Sequence, residues 1–91
     1  MATTPFNPAA LLANDQEIAD YLAEASNDPD PAVFVVALGN VVRHKGVAEI
    51  ADKAGLSRES LYKALNGQRQ PKWDTVHRLL SALGMRLQFA A

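Results

Sequence analysis

The stretch from Val47 to Gly67, VAEIADKAGLSRESLYKALNG, limits the fold of this chain more than any other part of it. Apolar residues keep a helical period on both sides of a break that one continuous helix would not tolerate. Before the break, Ile50, Ala51 and Ala54 share one face, while Glu49, Asp52 and Lys53 point away from it. Gly55-Leu56-Ser57 forms the joint. Gly55 takes the left-handed conformation without a Cβ penalty, Leu56 plugs the corner from inside, and the Ser57 hydroxyl caps the next helix. After the cap, Leu61 and Leu65 are four apart and face back toward Ile50 and Ala54. The expectation is two short helices crossing close to a right angle, with small Ala51 where the backbones approach.

Arg58, Glu59, Tyr62, Lys63 and Asn66 are left outside, all on one side of the second helix. A helix lying in the major groove carries its readers there. Arg bonds guanine bidentately, Glu accepts from cytosine, Lys reaches guanine or phosphate, and Tyr bonds phosphate or touches a thymine methyl. The plainer alternative is that Glu59 and Lys63, four apart in the favourable order, are a solvated helix pair.

A chain of 91 residues suits one domain and buries only roughly 60 to 65% of its unfolded surface. Nearly half the residues are apolar, so the chain folds, with a modest core that a partner chain would help. Without cysteine there is neither a disulfide framework nor a thiolate metal site, which fits a reducing cytoplasm. MATTPFNP lacks the basic and apolar regions of a signal peptide, and the longest apolar run, AVFVVAL, is far short of a membrane span. A soluble cytoplasmic protein with no membrane contact is expected.

The formal net charge of −1 hides a division. Residues 1–31 carry Asp15, Glu17, Asp20, Glu24, Asp28 and Asp30 and no Lys or Arg; residues 32–91 carry all nine Lys and Arg against four acids. An acidic arm, 1–31, with a helix at about 15–26, is therefore expected beside a basic body, 32–91. The local field at a contact face governs phosphate binding, so the body can hold DNA while the acidic part stays clear or meets a basic partner. A solubilising acidic surface helix is the other reading.

Asn7-Pro8 caps and starts a short turn through Leu11 and Leu12. Asn14 caps the acidic helix, with Glu17 three residues on, and Ile18, Tyr21, Leu22 and Ala25 form its apolar stripe. Ser26 to Pro31 breaks it. Asp30 caps, and Pro31 begins, a helix from Ala32 to Lys45 ended by Gly46. Its Val33, Phe34, Val36, Ala37, Leu38, Val41 and Val42 cover more than one face, so it is expected at the centre, packed on both sides. Arg43, His44 and Lys45 suit the negative end of its dipole; alternatively, Lys45 and the N–H groups of Val47 and Ala48 hold a DNA phosphate. Asn66-Gly67 closes the reading helix, and Gln68 to Lys72 forms a polar loop that makes Arg69 and Lys72 phosphate candidates. Trp73, Val76, Leu79, Leu80 and Leu83 mark a last helix, with Trp73 in the core or at a dimer contact and Asp74 and Arg78 paired across a turn. Beyond Gly84, the alternation of Met85, Leu87 and Phe89 is that of a strand over about 85–89, which must pair with its copy or with a bound partner.

No catalytic constellation is present, so no enzyme, metal or cofactor is expected. His44 and His77 lack metal-ligand spacing, the glycines form no phosphate loop, and Ser57 and Ser60 have no nearby base.

The run from Gly46 to Phe89, with AGLSRESLYKAL at its centre and PKWDTV and SALGMRLQF after it, resembles an XRE-type (lambda-repressor-like) helix-turn-helix. With FNPAALL, EIADYLAEA and DPDPA upstream, residues 6–89 more narrowly resemble the probable addiction-module antidote proteins, HigA-like antitoxins of type II toxin–antitoxin pairs. The resemblance implies an all-α, five-helix lambda-repressor-like helix-turn-helix domain with an extra acidic N-terminal helix and a short C-terminal strand. It implies a homodimer that represses its own operon on double-stranded operator DNA and neutralises a small basic toxin, a RelE or HigB-like ribonuclease. The resemblance puts Arg58, Glu59, Tyr62 and Lys63 against DNA, with Asn66 and the following loop at phosphate; together with the residues read above, the DNA-facing candidates are Lys45, Val47, Ser57, Arg58, Glu59, Tyr62, Lys63, Asn66, Arg69 and Lys72. Trp73, Met85, Leu87 and Phe89 are dimer or partner contacts, and Asp15, Glu17, Asp20, Tyr21 and Glu24 are toxin-facing candidates. The chain departs from the pattern in its net acidity and in Lys72 at a cap where Ser or Thr is usual. Two alternatives remain open: a stand-alone XRE-type regulator, and a protein-interaction module that inhibits a basic enzyme without binding DNA.

Overall fold

A computed structural model describes residues 7–12, 14–66 and 69–89. After a 3-10 turn, Pro8–Leu11, come five α-helices: α1 (Asp15–Ser26), α2 (Pro31–Lys45), α3 (Val47–Ala54), α4 (Arg58–Leu65) and α5 (Trp73–Ala82). The acidic helix is one of the five rather than an addition to them.

Local side-chain chemistry sets most of the boundaries. Asn7 accepts from the Ala9 N–H at 3.0 Å, Asn14 from Glu17 at 2.9 Å, Asp30 from Ala32 at 2.9 Å and Ser57 from Ser60 at 3.0 Å. Each bond satisfies a helix-end donor that would otherwise have no partner. Lys72 provides no side-chain bond at the start of α5. Gly55 ends α3 at φ 71°, with the Leu56 N–H reaching the Ala51 carbonyl at 2.9 Å; Gly84 ends α5 at φ 75°, with Met85 bonded to Leu80 at 2.9 Å. Both are Schellman closures, for which a residue without Cβ is the natural choice. The expected closure of α4 at Gly67 lies outside the described residues.

The expected central position of the second helix is observed: α2 touches the N-terminal turn, α1, α3 and α4. Val35, Ala37, Leu38, Val41 and Val42 are buried, joined by Ile18 and Leu22 of α1, Ile50 and Ala54 of α3, Leu61 and Leu65 of α4, and Leu79 and Leu80 of α5. Val33 and Val36, expected to be covered, are 38% and 48% exposed. One further expectation is narrowed and another needs correction. Of the two places expected for Trp73, core or dimer contact, the core is excluded: it is 60% exposed, with its ring tilted against that of His77 at a centroid distance of 6.1 Å. The expected strand at about 85–89 is not formed, and no strand occurs among the described residues. Among the described residues the backbone of 86–89 makes no hydrogen bond, so it has no ladder. Phe89 in consequence is 94% exposed.

Candidate functional site

α3 and α4 meet through the three-residue joint at Gly55-Leu56-Ser57. Leu61 is fully buried and Leu65 nearly so, which pins one face of α4 to the core. A helix has 3.6 residues per turn, so pinning 61 and 65 turns 58, 59, 62, 63 and 66 outward. Arg58, Glu59, Tyr62, Lys63 and Asn66 are indeed exposed, Tyr62 by 54%. Leu56 is half-buried against the same core and closes the corner.

The charges are partly spoken for. Lys63 Nζ lies 3.2 Å from Glu59, Lys53 3.1 Å from Glu49, and Arg78 3.0 Å from Asp74, each an exposed pair across one helical turn. Such pairs contribute about 0.3 to 0.5 kcal/mol and yield readily to a competing anion. Lys45 is held differently: its ammonium bonds Asp15 of α1 at 3.0 Å, thirty residues away in sequence. The N–H groups of Val47 and Ala48 begin α3 after Gly46, which supplies no side-chain cap. Ser57 Oγ accepts from the Ser60 N–H and donates to Ser60 Oγ at 2.9 Å, so its hydroxyl serves the cap. Arg58, Arg69 and Lys72 are exposed and in no ion pair among the described residues. Arg58, Tyr62 and Lys63 thus share one outward face of α4, whereas Arg69 and Lys72 lie in the segment leading to α5.

The acidic residues of α1 are divided among different surroundings. Asp15 pairs with Lys45, and Asp20 accepts from Gln16 at 2.9 Å. Asp20 lines a groove with Phe34, Met85, Arg86, Leu87 and Phe89. Tyr21 and Glu24 instead line a separate groove with Val33 and Val36. Sequence reasoning overlooked Asn40. Its Nδ2 donates to Tyr21 Oη at 3.1 Å, its Oδ1 accepts from Arg43 at 2.9 Å, and its carbonyl accepts from Asn7 at 3.0 Å. One residue, through its side-chain amide and its carbonyl, thereby ties the N-terminal turn, α1 and α2 together. Its only signal was a lone amide in the apolar run from Ala32 to Val42.

Among the described residues no cluster of His, Cys, Asp and Glu is placed to hold a metal, and no helix is long and apolar enough to cross a membrane. A family model described as "Probable addiction module antidote protein" matches residues 2–91. An uncharacterized protein of Haemophilus influenzae is 37% identical over 83 residues, covering 91% of this chain and 86% of that one. No solved structure matches.

Proposed function

The chain belongs to the family of probable addiction module antidote proteins, and on that footing we propose that it is the antitoxin of a type II toxin–antitoxin pair. In this reading it neutralises a RelE/HigB-like toxin by binding rather than by catalysis. As a homodimer it also represses its operon through a helix-turn-helix made of α3 and α4. The observation that carries the DNA half is the outward row of Arg58, Glu59, Tyr62 and Lys63 on a helix anchored from behind by Leu61 and Leu65. At 1.5 Å per residue, α4 is about 12 Å long, comparable to the width of about 12 Å of the major groove it would occupy. Arg58, at its first turn, is the side chain best placed to bond a guanine edge, since recognition helices contact bases from their N-terminal residues. Lys63 exchanges Glu59 for phosphate on binding. The N–H groups opening α3, together with Arg69 and Lys72, hold the flanking backbone.

The test is a titration of the purified protein with duplex DNA from its own promoter at several salt concentrations. Lys63→Ala weakens binding to all sequences alike and lowers the salt slope by about one phosphate. Arg58→Ala relaxes preference at one base pair, by about 1 to 3 kcal/mol. Binding that ignores salt, or a base preference that Arg58→Ala leaves unchanged, refutes the assignment.

A second reading, an interaction module without DNA, draws on the pairing of Lys45 with Asp15 and Lys63 with Glu59, which lowers the cationic field over α3 and α4. It forecasts toxin binding with no operator affinity above that for random duplex.

A further inference from the structure

α2 is apolar almost all round, the pattern of a helix covered on every side, yet part of it is left open. Val33 and Val36, 38% and 48% exposed, form the floor of a groove of about 700 Å³ between α1 and α2. Tyr21 forms part of its wall and is held there by the bond from Asn40. Glu24, Asp28 and Asp30 line the groove, and no Lys or Arg does. Asp28 and Asp30 each commit one oxygen to the backbone, at 2.8 Å to the Asp30 N–H and 2.9 Å to the Ala32 N–H, which fixes the carboxylates in place. Glu24 is exposed, and its carboxylate makes no hydrogen bond or ion pair among the described residues.

We propose that this groove between α1 and α2 is where the toxin docks, through a helix with an apolar stripe flanked by Lys or Arg. The proposal rests on the antidote reading and narrows it from the whole acidic helix to one of its faces. Nucleic acid does not suit the groove, because three carboxylates repel phosphate. A second copy joined about a two-fold axis suits it poorly, since an isologous contact would set the same carboxylates against each other. A cationic partner gains from both features. The valines supply apolar contact, and the carboxylates steer encounter and set the register.

The experiment measures binding of the purified toxin encoded beside this chain by calorimetry at two salt concentrations, using the wild type and three full-length variants checked for unchanged helicity and melting. Val36→Glu puts a charge on the groove floor and weakens binding at least tenfold. Glu24→Lys weakens it several-fold and flattens its salt dependence. Asp52→Lys makes the same charge change at an exposed position of α3, outside the groove, and stays within twofold. If Val36→Glu and Glu24→Lys bind as tightly as the wild type, or Asp52→Lys loses as much as they do, the groove is wrong while the antidote reading stands. If the wild type does not bind the toxin, both fall. Sedimentation showing that Val36→Glu breaks a dimer would give the groove to a second copy and overturn the proposal.

Discussion

Gly55 and Gly39 are expected to respond to alanine with opposite signs. Gly55, at φ 71° and ψ 31°, joins α3 to α4 and so sets the direction of the exposed row on α4. A Cβ there meets only Arg78 Nη1 at 3.6 Å, an ordinary contact, so the cost is conformational. Left-handed backbone costs an L-residue about 1 to 2 kcal/mol. Stiffening the unfolded chain returns roughly 0.4 to 1 kcal/mol, leaving Gly55→Ala destabilised by about 1 kcal/mol. Gly39, by contrast, is buried inside α2 with ordinary helical geometry. Its new Cβ would lie 3.3 Å from Arg43 Nη2 and 3.5 Å from Leu65 Cβ. The tighter contact is with the far end of a flexible exposed side chain, which can swing aside at the expense of its bond to Asn40. Replacing glycine within a helix gains about 0.5 to 1 kcal/mol, so Gly39→Ala should stabilise by about 0.5 kcal/mol once that bond is lost. For a domain of this size, 1 kcal/mol moves Tm by about 4 to 8 °C. Thermal unfolding followed by circular dichroism should therefore show Gly55→Ala lower by about 4 to 8 °C and Gly39→Ala higher by about 2 to 4 °C. Gly55→Asn should lose less than Gly55→Ala, because Asn visits the left-handed region more readily. Shifts of the same sign at 39 and 55, or Asn costing more than Ala at 55, would refute the reasoning.

Two further outcomes follow from the charges and from the tail. Asp15→Asn removes the partner of Lys45; it should cost under about 1 kcal/mol of stability while strengthening operator binding and raising its salt slope by about one phosphate. Unchanged DNA affinity would place Lys45 away from the backbone. Leu87, 43% exposed on a segment without backbone partners among the described residues, is expected to pair with its copy across a homodimer. Leu87→Asp should shift sedimentation toward monomer and Trp73 fluorescence toward that of a solvated indole, and a dimer that survives it would assign the tail to another contact.

The chain itself determined what depends on neighbours within a helical turn. Caps at Asn14, Asp30 and Ser57, closures at Gly55 and Gly84, and the pairs Glu59–Lys63 and Asp74–Arg78 all join residues two to five apart. Their geometry is set by helix pitch before any tertiary contact exists. The apolar stripes likewise identified α2 as central and Leu61 and Leu65 as the inward face of α4, because each helix must bury its stripe. Tertiary structure alone decided the rest. Lys45 finds Asp15 only when α1 lies beside the end of α2, and Asn40 becomes a hub only when Asn7 and Tyr21 are brought to it. Periodicity reports that a side chain is apolar but not whether enough chain exists to cover it. Val33 and Val36 read as covered and Trp73 as core or dimer contact, yet within the chain all three are exposed. A strand shows the same limit from the side of hydrogen bonding: alternation at 85–89 supplies the pattern, while the ladder needs a second segment that the described chain does not place beside it.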